Sequence, residues 1–275
     1  MFVDFYHRHL GLEPRIIAPK DLRLIPDNEA PLGYKLCCLA RTPKDPRSPG
    51  QTNLLSFNGE MVEEIHQVGL ELHQHELLGL PREILRAISL RCFNDLRTIF
   101  LVHDKRMLGI VKEECDSLVD RSVLSEAQAT ILHNGIAETF LPGSAEVKEL
   151  ARCSPELPEL RNDFLLKPIR GGKGAGIIFG DEVSNSEWMS HLKKLESAEV
   201  VPGRGSWVVQ RRVNQRLYNV VLGASGERVR YPLVGTYHVA HGKLLGLGTW
   251  RSSPGRICAV SNGGSWICSV LEESR

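Results

Sequence analysis

Apolar residues fall in short runs along this chain, separated by polar, glycine-rich or proline-rich breaks. The stretch FLLKPIRGGKGAGIIFG (164–180) has the clearest pattern. Phe164-Leu165-Leu166 and Ile177-Ile178-Phe179 flank a loop that holds Gly171, Gly172, Gly174 and Gly176. That order predicts strand, loop, strand, a hairpin rather than a strand running into a helix. Upstream, the pattern predicts a short helix over 4–12, a strand-like piece at Arg15-Ile16-Ile17, a turn at Pro26-Asp27-Asn28 and a buried strand over 34–39. Met61, Ile65, Leu72 and Leu78, with Val68 and Leu77 beside them, recur near helical spacing and predict a long helix over 61–80. Pro81 suits the first turn of a second helix, running to Arg91. The continuous apolar run TIFLV (98–102) predicts a central strand. Residues 41–50, RTPKDPRSPG, hold three prolines and read as an exposed loop.

Capping chemistry places the later helices. Asp104 is set to cap a helix over 105–119. Ser125-Glu126-Ala127-Gln128 and Ser184-Asn185-Ser186-Glu187 are capping boxes, the first for a helix ending near Gly135, the second for one over 188–195. Ser144 caps a helix through Arg152. Residues 201–205 form a turn-rich linker, and Trp207-Val208-Val209 opens a strand. Ser225-Gly226 and His241-Gly242 are hairpin turns, so 231–240 and 243–250 pair as antiparallel strands.

Composition narrows the function classes. The 275 residues are 42% hydrophobic and 24% charged, enough for a globular core in one large or two ordinary domains. A net charge of +1 argues against a dedicated nucleic-acid partner. The local cluster Arg211, Arg212 and Arg216 suits a phosphate-lined cleft or a solvated face. No apolar run reaches the ~18 residues of a membrane span, and no secretory signal is visible at the N-terminus. The seven cysteines are odd in number and include no C-x-x-C, which favours reduced thiols and a cytoplasmic setting. His66, His73, His75 and Glu76 do not suit a metal on a helix, since side chains two apart do not face one another.

The candidate chemistry centres on the glycine hairpin. Glycines let backbone N–H groups approach a phosphate chain. Lys173 puts a cation on the loop and Lys167 another at its base. The loop is no Walker motif, because Gly174 and not Ser or Thr follows Lys173. Nor does it have the G-x-G-x-x-G spacing that opens a helix in dinucleotide-binding folds. From the residues alone, a solvent-facing glycine turn accounts for the stretch as well as a phosphate cradle does.

A set of ordered motifs tips that balance. HDKRML (103–108), FLLKPIRGGKGAG, WVVQRRV (207–213), GTWRSS (248–253) and SNGGSW (261–266) occur in sequence. In words, order and spacing they resemble the ATP-grasp superfamily, and in particular its circularly permuted, glutathionylspermidine-synthase-like branch. The resemblance covers about two thirds of the chain. It implies an α/β fold with α+β lobes: a pre-grasp domain over 1–97, a lobe carrying the glycine flap over 98–205, and an antiparallel-sheet lobe carrying the adenine hinge over 206–275. It implies ATP and Mg2+ as cofactors. Phosphate contacts fall to Lys105, Lys167, Lys173 and the loop glycines Gly171, Gly172, Gly174 and Gly176. Adenine contacts fall to Val209, Gln210, Arg211 and Val213, with Gln210 where the family has an acid. Arg251 and Lys173 take catalytic roles, and Asn262 the metal.

The implied reaction is amide formation between a small carboxylic acid or amino acid and an amine through an acyl phosphate. A nucleotide-binding protein without turnover and a phosphotransferase are the alternatives. The implied partners are small-molecule acid and amine substrates, with neither nucleic acid nor membrane, and a homodimer is compatible. One departure stands out. Family members place carboxylates beside the late asparagine for Mg2+, a hard cation that prefers oxygen. Here Val260 stands two before Asn262, and no Asp or Glu occurs from Arg228 to Leu271.

Overall fold

The computed structural model describes residues 2–12, 14–40, 54–70, 72, 74–92, 96–199, 206–240 and 242–267. The expected loop at 41–50, the linker at 201–205, His73, His241 and Cys268 lie outside them. The chain divides into two compact units, residues 1–100 and 101–275.

In the first unit, α1 (Phe2–Leu10) precedes a four-stranded antiparallel sheet of β1 (Leu22–Pro26), β2 (Tyr34–Leu39), β3 (Leu54–Phe57) and β4 (Glu60–Glu64), in the order β1-β2-β4-β3. The short helix and the buried strand over 34–39 stand as expected. Arg15-Ile16-Ile17 forms no strand. Residues 61–80 are not one helix: their start is β4, and among the described residues only α2 (Gln74–Leu78) is helical before α3 (Arg82–Ser89). Asn58 and Gly59 both take positive φ, 50° and 81°, the backbone of a tight hairpin turn that joins β3 to β4. Val62 is then fully buried while Met61 is half exposed, the in–out alternation of a strand. Helix α3 covers the sheet with Ala87 and Ile88, which meet Leu36 in the core.

The run read as a central strand is helix α4 (Leu96–Val102). Short apolar runs fit a buried strand and a helix equally well, and here the helix prevails. Lys105 therefore sits between two helices rather than between a strand and a helix. Asp104 Oδ1 still accepts from the Arg106 amide at 3.1 Å at the start of α5 (Arg106–Asp120).

The second unit holds two antiparallel sheets. One has the order β5-β8-β6-β7, from β5 (Thr139–Phe140), β6 (Phe164–Pro168), β7 (Ile178–Phe179) and β8 (Trp207–Arg211). Helices α6 (Glu126–Gly135), α7 (Ala145–Cys153) and α8 (Asn185–Leu195) begin at Ser125, Ser144 and Ser184, each of whose side chains accepts from the backbone three residues on. Helices α7 and α8 bury Val147, Leu150, Trp188 and Leu192 against Phe164, Leu166 and Val209 on one face of the sheet. Ser144→Ala is expected to cost about 1 kcal/mol in a denaturant titration, since it strips the acceptor from the amide of fully buried Val147 in the first turn of α7.

The other sheet has the order β12-β11-β10-β9, from β9 (Leu217–Val221), β10 (Arg228–Ala240), β11 (Lys243–Ser252) and β12 (Ser265–Ile267). The β10–β11 hairpin is antiparallel as expected. Helices and antiparallel sheets mixed in this way are compatible with the expected grasp-type fold.

Candidate active site

Period-two alternation gives the first of these sheets two different faces. Phe164 and Leu166 point to the helices, so Leu165 and Lys167 point away from them. Gln210, paired in register with Leu165, shares that side. Leu165, Lys167 and Gln210 lie along a cleft of about 650 Å3. Its other walls come from the glycine loop (Lys173, Gly174), the end of β8 and beyond (Arg211, Arg212, Val213), and the end of β11 with the segment after it (Arg251, Arg256, Ile257, Cys258).

The glycine loop is fixed through its carbonyls. Lys105 Nζ donates to the Gly171 carbonyl at 2.9 Å, Trp207 Nε1 to that of Gly176 at 3.4 Å, and Asn262 Nδ2 to that of Lys173 at 3.4 Å. Gly171, Lys173, Gly174 and Gly176 all take positive φ. Among the described residues no acceptor meets the amides of Gly171, Gly172, Lys173, Gly174 or Gly176. Carbonyls held back and amides left over make a concavity suited to an anion. A Cβ on Gly174 would lie 2.9 Å from Ile257 Cδ1 and nearer still to its Cγ2, so the loop rests directly on Ile257.

The cations differ in what they face. Arg211 pairs with Glu138 at 3.3 Å, Arg212 with Asp181 at 2.7 Å, and Arg256 with Asp181 at 2.6 Å and Glu182 at 3.0 Å. Asp181 is held down at about 2, first by the hydrogen bonds from Arg256. Lys167 is half-buried, and among the described residues no carboxylate pairs with it. Burial, and then the charge of Lys105, push its pKa below the ordinary lysine value. Burial lowers Lys105 as well, against the pull of Asp104. Burial is the largest influence on Asp104 and pushes it up, but hydrogen bonds from Arg106 and the nearby guanidinium charges together bring it below the usual range. Arg251 Nε is buried with no hydrogen-bond partner among the described residues.

The structure thus brings Lys167, Lys173, Gly174, Gln210, Arg211, Val213 and Arg251 to one cleft. Gly171, Gly172 and Gly176 belong to the loop but not to the lining. Lys105 and Asn262 touch the loop's carbonyls instead of lining the cleft. Val209 faces the helices, and on the opposite side of the sheet the buried Gln210 amide donates to Thr139 Oγ1 at 2.8 Å. Asp181 and Arg256 went unmarked in the sequence, because 75 residues separate them. Among the described residues no group of three or more His, Cys, Asp or Glu could hold a metal ion, and no helix is long and apolar enough to cross a membrane.

Comparison with known proteins adds a family signal. Residues 1–101 match the model of the AnkG N-terminal domain. The chain is 38% identical, over 271 residues and 98% of its length, to the ATP-grasp enzyme ankG of Aspergillus thermomutatus. It spans 56% of that protein, about half the length of the curated relative it matches.

Proposed function

We propose, on the premise that the chain belongs to the ATP-grasp family as its likeness to ankG supports, that it carries the nucleotide cleft of an ATP-dependent carboxylate–amine ligase. One observation carries this reading: Lys167, a half-buried cation with no carboxylate partner among the described residues, opens onto a cleft beside Arg251 and the unspent amides of the glycine loop. Burying a cation without a counter-charge is costly, and a polyphosphate relieves that cost.

In this reading Lys167, Lys173, Arg251 and the amides of 171–174 bind the phosphates. ATP supplies an electrophilic γ-phosphorus. A substrate carboxylate oxygen bonds to it as the bond to the ADP oxygen breaks. The amine nitrogen then attacks the acyl carbon, phosphate leaves, and the amine gives up a proton. Arg251, at the cleft end of β11, neutralises charge on the phosphoryl oxygens, and the glycine loop keeps water from the acyl phosphate.

Magnesium is implied by the family, but the described residues do not fit it. Among them no group of three or more His, Cys, Asp or Glu could hold a metal ion. No step is therefore routed through the metal. That same lack of acids favours a second reading, nucleotide binding without turnover.

Measuring ADP release across a panel of acids and amines separates the readings. Release that requires both an acid and an amine supports the ligase. Tight ATP binding with no release supports the second reading. Release that needs no amine and leaves a stable phosphorylated acceptor points to a phosphotransferase.

A further inference from the structure

We infer that the segment 254–262 is the keeper of the glycine loop, and that Asp181, acting through Arg256, is the residue that positions it. The segment touches the loop twice. Ile257 fills the space that a side chain at Gly174 would occupy, and Asn262 donates to the Lys173 carbonyl at 3.4 Å. Both contacts fall on the stretch of loop that carries Lys173.

The segment is itself held at three places. It leaves β11 through Ser252 and Ser253, both buried, with Ser252 Oγ donating to the Pro232 carbonyl at 2.9 Å. It is folded back on the Ala259 carbonyl, which accepts from the amides of Asn262 and Gly264. Between these anchors, Arg256 reaches across to the far side of the hairpin. Its two terminal nitrogens donate to the two oxygens of Asp181, each at 2.6 Å, and one donates to Glu182 at 3.0 Å. The guanidinium also lies 5.0 Å from the centre of the Phe179 ring.

A planar guanidinium gripped at both ends and stacked on a ring has little orientational freedom. Asp181 also accepts from Arg212 at 2.7 Å, just past β8. One carboxylate therefore ties together the hairpin's exit, the strand β8 and the keeper segment. Asp181 immediately follows Gly180, whose backbone is packed against the Arg161 carbonyl, so it stands on a rigid base.

The kinetic consequence rests on the ligase reading. A loop released from its keeper admits water, so ADP release without amine rises relative to release with amine. The structural claim is tested without nucleotide. Trypsin cuts after Lys173 only when the loop opens, at a rate that follows the open population. In the full chain, Arg256→Gln is expected to raise cleavage after Lys173 about fivefold, leaving cleavage after Lys148 and Arg152 in α7 unchanged. Asn262→Ala is expected to raise the same cleavage by a smaller factor. If Arg256→Gln does not fold, Ile257→Ala takes its place in the comparison. Unchanged cleavage after Lys173 in a folded variant, or an equal rise at every site, overturns the inference. Adding ATP to the wild-type chain then tests the other reading separately. Protection of Lys173 supports the nucleotide cleft. Its failure sinks that cleft and leaves the comparison of variants standing.

Discussion

Lys167→Ala is expected to weaken ATP binding by about a hundredfold, or ~2.8 kcal/mol, as read by calorimetry. The side chain is half-buried at the base of the glycine loop and faces the cleft from the end of β6. Its charge is disfavoured first by burial and then by Lys105. That has a second consequence, opposite in sign. The folded-state pKa lies below the ordinary 10.5, so the unfolded chain holds the proton more tightly. The charged lysine therefore destabilises the fold at every pH below its folded pKa. The penalty shrinks as pH rises from that value towards 10.5. Lys167→Met should accordingly raise the melting temperature at neutral pH while it weakens ATP binding about as much as Lys167→Ala does. It should also flatten the alkaline rise in stability. ATP affinity of the wild type should fall over the same alkaline window, because the neutral amine binds phosphate poorly. A variant that loses both stability and binding would show instead that Lys167 is a packing residue.

Gly180→Ala is expected to destabilise the second unit by about 3 kcal/mol, lowering its melting midpoint by roughly 8 °C. An added Cβ would overlap the Arg161 carbonyl oxygen and come within 2.7 Å of its carbon and 3.1 Å of the Phe164 carbonyl oxygen. All three are backbone atoms, so no side chain can swing aside. Gly172→Ala is the matched control. Nothing lies within 4 Å of its Cβ and its φ is not positive, so its melting should match the wild type. Equal melting of the two variants would refute the steric argument.

Local chemistry made much of this legible. The serine caps at 125, 144 and 184, the glycine hairpin and the β10–β11 pair each depend on residues a few positions apart. The same locality misled the reading of 61–80, where apolar spacing near four outweighed the Asn58-Gly59 turn. That dipeptide is the stronger signal, because it fixes positive φ at two successive residues and commits the chain to a hairpin. TIFLV failed for another reason: periodicity cannot separate a buried strand from a helix in a run so short. In the cleft, the lysines and glycines were visible because their residue types carry the chemistry. The Asp181–Arg256 pair was not, since only the tertiary fold brings an aspartate after β7 beside an arginine after β11.

The three donors that hold the glycine loop stand 66, 31 and 89 residues from the carbonyls they grip. During synthesis the loop emerges with Lys105 already made but Trp207 and Asn262 still to come. At ordinary elongation rates, Asn262 follows Lys173 by roughly 5–20 s. The first unit pairs β1 with β2 and β3 with β4, neighbours in the chain, and needs no such delay. A nascent chain stalled between these two points would carry a formed first unit and a glycine loop without its keeper. Competence for nucleotide should therefore arrive late, only after Asn262 has left the exit tunnel.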